Sequence, residues 1–184
     1  LLAIAGGQSD SDLLSSLLGH DPLAATSLGF FGDAALVPSM LSALAASVGL
    51  PSRWAFACAL ARALHRITGL GRTAAMDPGR PTPLVDPPVS AEFWARAWAE
   101  KHETFAARRK YRFGSPFSPL QSVDEADTPE LPAVVRRDLL IEIAIASRGQ
   151  SRVHAEDWVA RQKAALAEMR EIFLEEAREV QATA

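Results

Sequence analysis

The sequence predicts an all-α protein, a solenoid-like stack of antiparallel helix pairs followed by a less regular helical part. Three observations carry that expectation. Leu2-Ala3-Ile4-Ala5-Gly6 and Leu28-Gly29-Phe30-Phe31-Gly32 recur at a spacing of 26 residues, each followed by a polar turn and an amphipathic stretch. The apolar residues of those stretches fall on one helical face rather than alternating. The punctuation between them is that of helices: Asp21 as N-cap, Pro22 at the first helical position and Gly32 as a left-handed C-cap.

Taken in order, the first stretch is Asp12–Gly19 and the second Ala35–Leu44, and Ala63–Gly69 repeats the phrasing. Leu36, Val37, Met40, Leu41, Leu44 and Val48 form a single stripe, with Pro38 tolerated in the first turn and Gly49 and Pro51 ending the helix. Ala24, Ala25, Ala57, Ala59, Ala61 and Ala63 are small enough for helices to approach closely. Residues 71–90, with Pro78, Pro81, Pro83, Pro87 and Pro88, read as a long connector packed across the repeats.

Beyond it a helix is expected from Ser90 or Ala91 to about Ala107, its buried face marked by Trp94, Trp98 and Phe105. Residues 108–116 are a basic and aromatic loop, and 121–131 an acidic, polar stretch. Pro132–Ser147 is apolar on most sides. It reads as a central buried helix ended by Gly149, its length being more than a strand usually has. A last helix runs from about Ala155 to Val180, with Trp158, Gln162, Ala165, Leu166, Met169, Ile172, Phe173 and Val180 on one stripe. The whole, residues 1–184, is read as one helical domain: 1–70 repeats, 71–90 connector, 91–184 C-terminal helices. It opens without Met and reads as a fragment of a longer chain that begins inside a helix.

Composition narrows the function classes. The 184 residues are 48% hydrophobic and 22% charged, as in ordinary globular domains. With 19 Lys and Arg against 22 Asp and Glu, the net charge of −3 lacks the basic excess of a nucleic-acid binder. Cys58 alone allows no intrachain disulfide and no thiolate cluster, which fits a cytoplasmic protein. No run of about 18 apolar residues is present, so no membrane span is expected.

Asp21–Pro38 resembles the short HEAT-like repeat of the phycobilisome-lyase type, in the phrase Leu28-Gly29-Phe30-Phe31-Gly32-Asp33 with Val37-Pro38 following. The match covers about residues 1–70. The whole chain is similar to a group of bacterial HEAT-repeat proteins, some encoded near type VI secretion genes. They share the Ile67-Thr68-Gly69 ending, the Pro-rich connector, a Trp-bearing helix, the Arg-Tyr-Arg phrase and an Arg-Arg-x-Leu helix. The resemblance implies a non-enzymatic protein-binding or scaffold surface. A few relatives of the repeat are lyases for bilin chromophores, but no dedicated catalytic motif of theirs is present. After residue 70 the repeat spacing is lost.

No catalytic, cofactor or metal residue is assigned. His20, His65, His102 and His154 are scattered, with no pair at i, i+3 or i+4. Cys58 lies among Phe56, Ala57, Ala59 and Leu60, the setting of an inert buried thiol. Trp54, Trp94, Trp98 and Trp158 sit at helical spacing and read as core. The one feature above background is the run Arg108, Arg109, Lys110, Tyr111, Arg112, since Arg and Tyr are favoured at protein-binding hot spots. Against that stands a structural role, the aromatics pinning the loop and its charges meeting Asp124, Glu125 and Asp127. The expectation is a protein partner beside that loop or on the helical ridge. The alternatives are an enzyme with a site between repeats and connector, or a weak nucleic-acid binder.

Overall fold

A computed structural model describes residues 8–16, 18, 21–71, 87–106, 109–129, 131–151, 153–154, 156–157 and 159–182. Among these the chain is mostly helical, with one two-stranded hairpin and an isolated bridge between Asp33 and Lys110. No helix among them is long and apolar enough to cross a membrane. The chain divides into two compact units, Leu1–Phe117 and Ser118–Ala184. The sequence breaks its pattern at the connector; the boundary falls later because the helix beyond the connector packs back on the first unit.

The first unit begins with α1 (Gln8–Ser16) and α2 (Pro22–Phe31). The expected punctuation of α2 is present. The Asp21 carboxylate accepts from Leu23 N–H at 2.8 Å, and Gly32, at φ 76°, donates to the Leu28 carbonyl at 3.0 Å. Asp33 accepts from Ala35 N–H at 2.9 Å and opens a 3₁₀ turn that leads into α3 (Val37–Ala45). Val37, Met40 and Leu44 are buried along α3, but Val48, expected on the same stripe, is exposed. The helix stops at Ala45, and the 3.6-residue period does not extend past that residue to position 48.

Helix α4 (Trp54–Thr68) buries Phe56, Leu60, Leu64 and Ile67 on one face, and α5 (Ala91–Lys101) starts at Ser90, whose hydroxyl accepts from Phe93 N–H at 3.2 Å. The most extensive packing in this unit is α2 on α4, and α3 meets both α4 and α5. At the α2–α4 crossing a Cβ on Gly29 would lie 2.9 Å from the Ala63 Cα. Ala63 therefore admits a close approach, as the sequence implied, and Gly29 is its partner. Trp94 is buried and donates its indole N–H to the Pro88 carbonyl at 2.7 Å. Helix α5 ends at Lys101, earlier than expected, in a 3₁₀ turn over His102–Thr104. The chain then turns to set Phe105 between Trp98 and Tyr111. Pro78, Pro81 and Pro83 of the connector lie outside the described residues, as does Trp158.

In the second unit, α6 (Pro119–Ala126) occupies much of the stretch noted only as acidic and polar. Its start is a capping box: Leu120 N–H donates to the Ser118 hydroxyl at 3.3 Å, and Ser118 N–H to the Gln121 carboxamide at 3.1 Å. Helix α7 (Ala133–Ala146) buries Leu139, Leu140 and Ile143 but leaves Val134 exposed. It is therefore buried on one face and not all round as expected. Helix α8 (Val159–Ala182) buries Gln162, Leu166, Met169 and Phe173, matching the expected stripe at i, i+4, i+7 and i+11. Helix α6 packs on both α7 and α8. The acidic residues Asp124 and Asp127 meet Arg170 of α8, at 2.6 and 4.0 Å, where the sequence paired them with the basic loop.

Candidate functional site

The basic and aromatic run is not a free loop. Tyr111–Arg112 (β1) pairs antiparallel with Ser115–Pro116 (β2), with Phe113 and Gly114 both at positive φ, 51° and 81°, in the turn. Two consecutive positive φ values suit a two-residue turn between right-twisting strands. The hairpin sits on the C-terminal ends of α2 and α4. Tyr111 N–H donates to the Gly32 carbonyl at 2.8 Å, Phe113 N–H to the Arg66 carbonyl at 2.6 Å and Gly114 N–H to the Ile67 carbonyl at 3.0 Å. These carbonyls belong to helix ends, which lack intrahelical donors. The hairpin supplies the donors.

This arrangement decides what the five candidate residues can do. Tyr111 is 5% exposed; its hydroxyl accepts from Ala106 N–H at 2.7 Å and its ring meets Phe105 edge-on. Arg112 is 2% exposed, its guanidinium 4.7 Å from the Phe117 ring centre. Neither is available to a partner in solution, which corrects the expectation for both. Lys110 is half-buried, with its ammonium 5.1 Å from the Phe31 ring centre. Arg109 is exposed, and Arg108 lies outside the described residues. Positive charge beside helix C-termini is favourable in itself, because the last carbonyls carry the negative end of the helix dipole.

Exposed large apolar side chains lie elsewhere: Leu13, Leu23, Val134 and Val159 singly, and three others close together in sequence. Trp54 is 58% exposed, Leu50 47% and Val48 38%, and Pro51 and Arg53 between them are exposed too. All belong to the corner joining α3 and α4. The sequence reading assigned Trp54 to the core. Periodicity favours that assignment, since Ala57 and Ala61, three and seven positions on along the same face, are fully buried; Trp54 is nevertheless exposed, at the first position of the helix. An exposed indole close in sequence to other exposed apolar residues is a candidate anchor for a partner.

His65 Nδ1 lies 2.6 Å from the Leu70 carbonyl, with its ring against Phe113. Cys58 is half-buried rather than fully enclosed. Among the described residues no group of three His, Cys, Asp or Glu could hold a metal. Two cavities are lined by described residues of the second unit. One, of about 380 Å³, runs along α8 beside Ser151 and Val153. The other, of about 150 Å³, lies between the α6–α7 turn and the start of α8. Set against protein-family models, curated proteins and solved structures, the chain matches none.

Proposed function

We propose that this chain is a non-enzymatic protein-binding module of the HEAT-like repeat type, and that its partner docks on the α3–α4 corner. The observation that carries the reading is Trp54, an indole 58% exposed beside Leu50 and Val48. Keeping so much apolar surface in water has no folding benefit, whereas an anchor of this kind contributes strongly once a partner removes it from water. The packing of α2 on α4 and of α3 on both α4 and α5 supports the repeat reading, since helices of a repeat array contact their near neighbours. The partner's chemistry is set by the corner: an apolar pocket for the indole, with a carboxylate at its rim for Arg53.

The test compares immobilised wild-type chain, Trp54→Ala and Arg109→Glu as baits for proteins of the native host, read by quantitative mass spectrometry. A partner retained by the wild type and by Arg109→Glu, and lost with Trp54→Ala, supports the corner. For the purified partner, Trp54→Ala is expected to weaken binding by about 2 kcal/mol, roughly thirtyfold. Equal retention by all three baits removes the corner as the site, and loss with Arg109→Glu alone moves the site to the hairpin.

A further inference from the structure

The smaller cavity of the second unit has a chemical character of its own. Its walls are Ala126, Pro129, Val159 and Leu166 on the apolar side, with Asp127, Arg136, Gln162 and Lys163 completing it. Arg136 is held in place: one Nη donates to the Thr128 carbonyl at 2.8 Å and reaches the Pro129 carbonyl at 3.3 Å. Its Nε–H is buried and has no acceptor. That atom is closed to the cavity, but the rest of the Arg136 side chain lines it, so the wall carries a cation that favours an anion.

Charge in the wall points the same way. Among the described residues no carboxylate lies within ion-pair distance of Arg136 or Lys163. Asp127 is 4.0 Å from Arg170, which draws its charge toward α8. Gln162 is occupied, donating to the His154 and Asp157 carbonyls at 3.2 and 2.9 Å. Val159 begins a helix of 24 residues, so the positive end of that helix dipole adds to the two cations. The cavity of about 150 Å³ has the size that accommodates a six-carbon ring in other proteins.

We propose that this cavity binds a short aliphatic carboxylate, its charged end between Arg136 and Lys163 and its alkyl end against Val159, Leu166 and Ala126. A fixed guanidinium beside a mobile ammonium suits a carboxylate, and the apolar wall discriminates against a bare inorganic anion.

The experiment is a titration of the full 184-residue chain with butyrate, butylammonium and inorganic phosphate at constant ionic strength, followed by amide chemical shifts. Saturable shifts with butyrate, confined to residues 126–136 and 159–166 and absent with butylammonium, support the site. Lys163→Gln changes an exposed residue and is expected to keep the fold while weakening butyrate about tenfold. Arg136→Gln is expected to weaken it further; Lys163→Gln keeps the test valid should that variant unfold. Linear shifts with butyrate, equal response to butylammonium, or phosphate binding as tightly as butyrate each overturn the proposal.

Discussion

Single positions in the first unit are set by space rather than by propensity. Gly29 lies within α2, where alanine would ordinarily be favoured by about 1 kcal/mol. Its missing Cβ lets the Ala63 backbone approach, and a Cβ there would sit 2.9 Å from Cα and 3.0 Å from Cβ of Ala63. Gly29→Ala is therefore expected to destabilise by about 1–3 kcal/mol despite the gain in propensity, measurable by urea unfolding. Arg112 and Arg109 differ as sharply. Arg112→Glu places the wrong charge in a buried position and is expected to cost about 3–5 kcal/mol, whereas Arg109→Glu stays within about 0.5 kcal/mol. Equal melting temperatures for the two variants would refute the buried placement of Arg112. Trp94→Ala, which empties a core position, is expected to cost about 3–5 kcal/mol, while Trp54→Ala leaves the melting temperature nearly unchanged.

At the scale of elements, the caps are where local sequence and fold agree most closely. Asp21 with Pro22, Gly32 and Ser90 act in the structure as their residue types imply. Ser118-Pro119-Leu120-Gln121 carries an equally legible capping box, obscured by the acidic composition of the residues after it. Ser118→Ala is expected to cost about 1 kcal/mol, seen as a lowered unfolding midpoint. Arg170→Ala removes partners only from exposed carboxylates and is expected to change stability by less than about 1 kcal/mol. The hairpin was not legible in the sequence. Its strands are two residues each, too short for an alternating pattern, and its turn places Phe113 at a positive φ that no local signal announces. Its position depends on carbonyls contributed some forty-five to eighty residues earlier, which no window of sequence contains.

For the molecule as a whole, helical character could be read from periodicity because periodicity is a property of each element alone. Unit boundaries could not, because they depend on which helix returns to which neighbour. Helix α5 returns to α3 across the connector, so the break after residue 70 in the repeat pattern is not the break in contacts. Charge density drew the sequence reading to residues 108–112, but a side chain's availability depends on what packs over it. There the packing encloses Tyr111 and Arg112, and it leaves Trp54 exposed.

The hairpin's three bonds to Gly32, Arg66 and Ile67 also bear on how the chain matures. In an array whose units touch only adjacent units, order can spread from one end as synthesis proceeds. Here the last turns of two early helices wait for donors that emerge some forty-five residues after the second of them is complete. A polypeptide cut after residue 70 is expected to show frayed carbonyl ends at α2 and α4, with rapid amide exchange in those turns, and a synthetic segment spanning 109–117 added in trans should slow it.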